Sequence, residues 1–207
     1  MDEEIIYQGA EAKIIKSKYW NFDVVKKRRV HKSYRIKNID ENLISYRTKE
    51  ESKLISYARS CGVSVPTIYD VDLKKGIITM EFLKGERIKD ILNNLSEKER
   101  ERICKKIGKN IARFHNNDII HGDITTSNII VLNEFIYFID FGLGEINSEI
   151  EAKGVDLHVL MEAIESTHSK YHNCFEYILN GYKKTNSKEF NQILTKIEEI
   201  VKRGRYR

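Results

Sequence analysis

At 207 residues, 41% hydrophobic and 32% charged, the chain has the composition of an ordinary globular protein, long enough for one large core or two small lobes. Cys61, Cys104 and Cys174 lie far apart with no CxxC pair, which excludes a disulfide framework or zinc knuckle, and no apolar run approaches the ~20 residues a bilayer needs. The net charge of +5 leans weakly toward an anionic partner.

The opening "MDEEIIYQGA" is acidic and has neither the basic start nor the apolar middle of a secretory signal, so a cytoplasmic setting is expected. Short β-branched runs then predict strands over Ile5–Tyr7, Lys13–Lys16 and Asp23–Arg28. Basic residues crowd "VVKKRRVHKSYRIK" (24–37), which reads equally as a solvated face or a contact for nucleic acid. Within it, Tyr34 and Arg35 either cap the next helix or meet nucleotide or RNA. That helix is expected over Arg47–Ser60, closed by Gly62 and Pro66. Two more strands follow, Thr67–Asp72 and Ile77–Phe82, joined through "LKKG".

After Leu83–Gly85 the period changes. A short helix is expected at Arg87–Asn93, and a stronger one begins at Ser96, where Ser-Glu-Lys-Glu forms a capping box with Glu99. Ile103, Ile107, Ile111 and Phe114 then share one face. "NIIVL" and "FIYFID" are two strands around an Asn-Glu turn, and helices over Val155–Glu165, Phe175–Lys183 and Glu189–Lys202 close the chain. The order predicts an α+β, two-lobed protein with a strand-rich part at 1–83 and a reduced helical part at 84–207, a cleft between them.

"HGDITTSNII" (121–130) and "FIDFGLG" (138–144) carry the chemistry. Phosphoryl transfer needs a metal on the phosphate oxygens, a cation on the nucleotide and a group that orients the nucleophile. Asp140 ends a strand that can hold its carboxylate beside a phosphate, and Gly142 lets the backbone turn away. Asn128 offers a neutral amide oxygen as a second ligand for magnesium. Asp123 is placed to align an attacking hydroxyl or water. His121 reads as a hydrogen-bonded loop anchor. His168 and His172 are spaced to face one way on a helix, though without a third ligand.

These motifs resemble those of the protein-kinase superfamily, in which His-Arg-Asp-x-x-x-x-Asn precedes Asp-Phe-Gly. The resemblance implies a lysine at the end of the third strand, for which "DVVK" supplies Lys26, with Lys27 as competitor because alternation points only one of them inward. It implies Glu51 as the helix glutamate paired to that lysine, with Glu50 as fallback, and Met80, Glu81 and Leu83 along the hinge that binds adenine. ATP and Mg2+ are the expected cofactors. There are departures. No GxGxxG is present, only Gly9 in "YQGAEAKII". Gly122 stands in place of an arginine, and Thr125 where serine/threonine kinases carry a lysine. No Ala-Pro-Glu follows Gly142.

A narrower resemblance covers those departures and nearly the whole chain. "HGDITTSNII…IDFGLG", "VVKKRRVHKSYR", "RTKEESKLI", "EAKGVDLHVLMEAIESTH" and "VKRGRYR" together look like the small kinase subunit family of the KEOPS complex, relatives of the RIO kinases. That resemblance implies an autophosphorylating Ser/Thr kinase and ATPase serving threonylcarbamoyladenosine modification of tRNA. Its implied partners are the threonylcarbamoyl-transferase subunit, a small subunit on the strand-rich lobe, and tRNA, met by Arg203, Arg205 and Arg207 of the basic tail. Asp156 would anchor the site from a helix. The alternatives are a small-molecule phosphotransferase of the aminoglycoside or choline kind, which shares His-Gly-Asp-x-x-x-x-Asn, and a nucleotide-binding pseudokinase scaffold.

Overall fold

The computed structural model describes residues 3–204. Strands β1 (Glu4–Gln8), β2 (Ala12–Tyr19), β3 (Phe22–Arg29), β4 (Ile68–Asp72) and β5 (Ile77–Glu81) form an antiparallel sheet in the order β1-β2-β3-β5-β4. The long helix α1 (Lys37–Ser60) lies between β3 and β4 in sequence. It starts well before the expected Arg47; its opening is hidden in the sequence because Ile36 and Ile39 are exposed and only Asp40 and then Ile44 are buried there, so no apolar stripe announces it. What holds that end is Asp40, which accepts from the Lys32 backbone N–H (3.2 Å) and Arg35 Nη1 (3.2 Å) and lies 2.8 Å from His31 Nδ1. Arg35 therefore secures the entry of α1, and Tyr34 beside it is exposed.

After β5 the chain turns helical, with short pairings between. β6 (Glu86–Arg87) leads into α2 (Ile88–Ile91) and a 3₁₀ turn at Leu92–Asn94; α3 (Glu97–His115) follows, and then β7 (Ile119–Ile120). The capping box at Ser96 is present, Glu99 reaching back to the Ser96 N–H (3.0 Å). β8 (Ile129–Leu132) and β9 (Phe135–Phe138) form a hairpin through Asn133 and Glu134, both at positive φ (47° and 70°), the backbone a two-residue turn of that hand requires. β10 (Glu145–Ile146) pairs with β7, and α4 (Ile150–Thr167), α5 (Asn173–Thr185) and α6 (Phe190–Gly204) complete the fold.

Ile103, Ile107, Ile111 and Phe114 of α3 are all buried, each side chain contributing roughly 1.5–3 kcal/mol by its removal from water. They share one core with Leu54, Ile55 and Ala58 of α1 and with Ile178 and Tyr182 of α5. α3 and α5 cross on two glycines: a Cβ on Gly108 would sit 1.9 Å from the Ile178 carbonyl oxygen, and one on Gly181 would sit 2.1 Å from that of Lys105. α1 is tied to the helical half at its far end, where Arg113 Nη1 donates to the Gly62 carbonyl (2.8 Å) and the Phe138 N–H to that of Ser64 (3.0 Å).

Candidate active site

Strand alternation sorts the four cations of β3 into two pairs. Lys26 and Arg28 share one face, where both reach Glu3, at 2.7 and 3.9 Å. Lys27 and Arg29 share the other, buried against α1. Lys27 Nζ donates to Glu51 Oε1 at 2.5 Å and to Asp140 Oδ1 at 2.6 Å, while Arg29 Nη2 donates to Glu51 Oε2 at 2.6 Å. Two cations thus face two carboxylates, a balance that keeps buried charge tolerable. Burial disfavours the ammonium of Lys27, but Glu51 and Asp140 outweigh that and hold its pKa above the ordinary lysine value. Burial likewise pushes the Asp140 carboxyl up, and Lys27 outweighs it, leaving the group below the usual carboxylate range.

The expected Lys26 is therefore corrected to Lys27. A strand cannot point neighbouring residues the same way, and the register Lys27↔Ile78 and Lys26↔Thr79 sends Lys26 to the outer face. Glu51, rather than Glu50, faces the strand; Glu50 pairs with Lys53 on the surface. Arg29, which the sequence reading overlooked, was legible in principle: it stands two residues from Lys27 on a strand and so must share its face.

Asp140 adopts φ 67°, in the left-handed region that non-glycine residues rarely enter, and strained backbone of this kind gathers at functional sites. Gly142 lies, as expected, in the turn that leads the chain away, closed by the Gly144 N–H on the Phe141 carbonyl (3.0 Å). It also leaves room by its missing side chain: a Cβ there would lie 3.0 Å from Asp140 Oδ1 and 3.4 Å from Lys27 Nζ, and its N–H donates to Asp140 Oδ1 (3.2 Å).

The loop from His121 to Asn128 is held from several sides. Its start hangs on Asp156 of α4, whose carboxylate accepts the backbone N–H of His121 and of Gly122, each at 2.9 Å. A buried histidine, His115, lies 3.3 Å from the same carboxylate and 2.8 Å from the Tyr182 hydroxyl. His121 is fully buried among Phe114, Phe138 and Phe141, with its Nε2 donating to the Ile139 carbonyl (3.2 Å) and its Nδ1 accepting from the Asp123 N–H (3.3 Å). Burial keeps its pKa below the ordinary histidine value, so it anchors the loop as a neutral ring. Asn128 Nδ2 donates to both the backbone oxygen and Oδ2 of Asp123, each at 3.0 Å, which turns its Oδ1 the other way. The Ile139 N–H donates to the Asn128 carbonyl (3.0 Å), so backbone bonds join the loop bearing Asp123 and Asn128 to the residue before Asp140.

Gly122 has φ 81°, and a Cβ on it would lie 2.3 Å from the Leu143 carbonyl oxygen. The absent arginine thus has a backbone reason. Met80 and Leu83 are buried, and Glu81 is fastened to Thr67, accepting from its N–H (3.1 Å) and hydroxyl (3.0 Å). His168 caps the C-terminus of α4 and His172 the N-terminus of α5, so they share no helix face. Arg203 ends α6 against Glu151 (2.9 Å); Arg205 and Arg207 lie outside the described residues.

A hard amide oxygen, a carboxylate held charged and a lysine ammonium within 2.6 Å of that carboxylate form a donor set that fits magnesium and nucleotide phosphate. An antiparallel sheet bearing a Lys-Glu pair, above a helical half bearing this loop, defines a protein-kinase-like protein. The fold of WaaP, solved in complex with acyl carrier protein, agrees: TM-score 0.64 over 98% of this chain and 88% of that one, at 10% identity. The RIO-domain model matches residues 7–144. The KEOPS complex subunit Bud32 of Pyrococcus abyssi is 43% identical across 99% of this chain and 96% of its own length. A probable bifunctional tRNA threonylcarbamoyladenosine biosynthesis protein of Methanobrevibacter smithii is 41% identical over 100% of this chain, which spans 37% of that longer protein. The chain belongs to the RIO-domain family, and by its end-to-end likeness to Bud32, to the Bud32 group within it.

Proposed function

We propose that this chain is a magnesium- and ATP-dependent atypical Ser/Thr kinase and ATPase that serves, as a cytoplasmic KEOPS subunit, the threonylcarbamoyladenosine modification of tRNA. The observation that carries it is Lys27 ion-paired at once to Glu51 and Asp140, on the strand-rich side of a loop that presents Asp123 and Asn128. Lys27 would hold the nucleotide phosphates, with Glu51 fixing its direction and Arg29 sharing Glu51's charge. Asn128 and Asp140 would hold Mg2+, which supplies charge neutralisation to the phosphate oxygens. Asp123 would orient the attacking hydroxyl or water, its position set by the Asn128 amide. The buried Met80 and Leu83 and the fastened Glu81 would form the adenine hinge. Thr125 in place of a cation removes one source of charge stabilisation, which favours water over a protein hydroxyl as a principal acceptor.

The likeness to Bud32 and to the bifunctional proteins supports a threonylcarbamoyl-transferase partner. On the sheet, Trp20 and Phe22 are exposed and Phe22 stacks on Tyr69 (6.2 Å between rings), an apolar patch suited to the small subunit. The basic tail with Arg203, Arg205 and Arg207 would meet tRNA phosphate.

The deciding experiment follows γ-labelled phosphate from Mg-ATP in the wild type and in Asp123→Asn. Label released as free phosphate or transferred to the protein, and reduced about 100-fold or more in the variant, is expected. Equal turnover in both would reject the assignment of Asp123. No turnover in either, with the transferase subunit and tRNA also present, would leave a scaffold in place of an enzyme.

A further inference from the structure

α4 meets the catalytic loop twice. Asp156 takes the loop's first backbone N–H groups, as described above. The second meeting lies just past the helix's other end, roughly 18 Å away at ~1.5 Å of rise per residue. There His168 caps the helix, its N–H donating to the Ile164 carbonyl (2.7 Å), and its side chain is buried at 1% exposure. Its Nδ1 is 2.7 Å from Asn93 Oδ1, and its Nε2 is 3.4 Å from Thr126 Oγ1. With Nδ1–H donating to the amide oxygen, Nε2 is left to accept from the threonine hydroxyl.

Neither end of this bridge is loose. Tyr171 donates its hydroxyl to the Asn93 carbonyl (3.0 Å), and the Arg100 guanidinium lies 3.7 Å over the Tyr171 ring while donating to the Leu92 carbonyl (3.0 Å). At the other end Thr126, itself buried, opens the 3₁₀ turn Thr126–Asn128, closed by the Asn128 N–H on the Thr125 carbonyl (3.0 Å). That turn decides where the Asn128 side chain points. We infer that His168 is a positioning residue for Asn128: by holding Thr126 it fixes the turn that aims the Asn128 amide oxygen toward a magnesium ion.

This inference rests on the proposed role of Asn128 as a metal ligand, and it differs from a purely structural role in one measurable way. Loss of a group that orients a ligand typically weakens metal binding about 10- to 100-fold. A merely structural histidine lowers thermal stability without moving the metal midpoint. The test is calorimetric binding of a non-hydrolysable ATP analogue at a series of Mg2+ concentrations, with melting curves alongside. The expected result is a Mg2+ midpoint raised about tenfold in His168→Ala and in Thr126→Val. Affinity for the metal-free nucleotide should be unchanged, with substantial recovery in His168→Gln, whose amide offers a donor and an acceptor side by side. An unmoved midpoint in the folded His168→Ala protein overturns the inference. If that variant does not fold, Thr126→Val decides by the same criterion. Absence of Mg2+-dependent nucleotide binding in the wild type would overturn the proposed function, and this role of His168 with it.

Discussion

Glu51 is the most consequential single residue, because one buried carboxylate answers two cations. Lys27 takes one oxygen of Glu51 and Arg29 the other, so that the carboxylate would stay paired if Lys27 turned toward a phosphate. Lys27→Met should lower ATP turnover by about 100-fold or more, whereas Lys26→Met, on the outer face, should stay close to wild type. Single-turnover rates check this, and the reverse ranking would reject the geometry. Acid tests the same neighbourhood. His121 and His168 are buried and kept neutral, with folded pKa values below the ordinary ~6.5. Below that value the unfolded chain binds protons that the folded chain refuses. The stability they permit is therefore full above about pH 7 and is lost as pH falls toward their folded pKa values, by at most about 1.4 kcal/mol per pH unit for each histidine. Melting temperatures measured from pH 8 to pH 5.5 should fall steadily, and a flat profile would contradict neutral burial.

At the scale of elements, the α3–α5 crossing is the tightest contact in the helical half. Gly181→Ala puts a methyl group into the Lys105 carbonyl and should cost about 1–3 kcal/mol as the helices part, while a Ser166→Gly change at an exposed position of α4 should cost less than about 1 kcal/mol from helix propensity. Urea unfolding of both variants gives the comparison. The same scale shows which elements the chain announces. The Ser96 box and the Ile103, Ile107, Ile111 and Phe114 stripe made α3 plain, because a cap and an apolar period coincide there. The first turns of α1 carry neither signal, being held by polar contacts of Asp40 with His31, Lys32 and Arg35 just before the helix, which no apolar period marks. β6, β7 and β10, two residues each, have no period to read and exist through their neighbours. In the site, Asp123, Asn128 and Asp140 stand out from motif spacing, whereas Glu51 is only implied by the resemblance, with Glu50 beside it. The choice between Lys26 and Lys27 did not, since it depends on a register that only β5 and α1 together impose.

At the scale of the whole molecule, helix α1 belongs to the same core as α3, α4 and α5 through Leu54, Ile55 and Ala58, so Glu51 rides on an element anchored in the helical half. The outermost ends of the chain are a different matter. Cutting after Gly204 removes Arg205 and Arg207, and should weaken tRNA binding and reduce the slope of log affinity against log salt by roughly 1–2, with ATP hydrolysis by the isolated chain intact. Filter binding at several salt concentrations measures this, and equal slopes would remove the tail from the interface. Gly122 sets a limit of another kind. Its left-handed backbone and the Leu143 carbonyl against it leave no volume for a longer residue unless the β7–β10 pairing opens. A lineage that inherits this loop cannot reach an arginine there by one codon change and keep the strands closed.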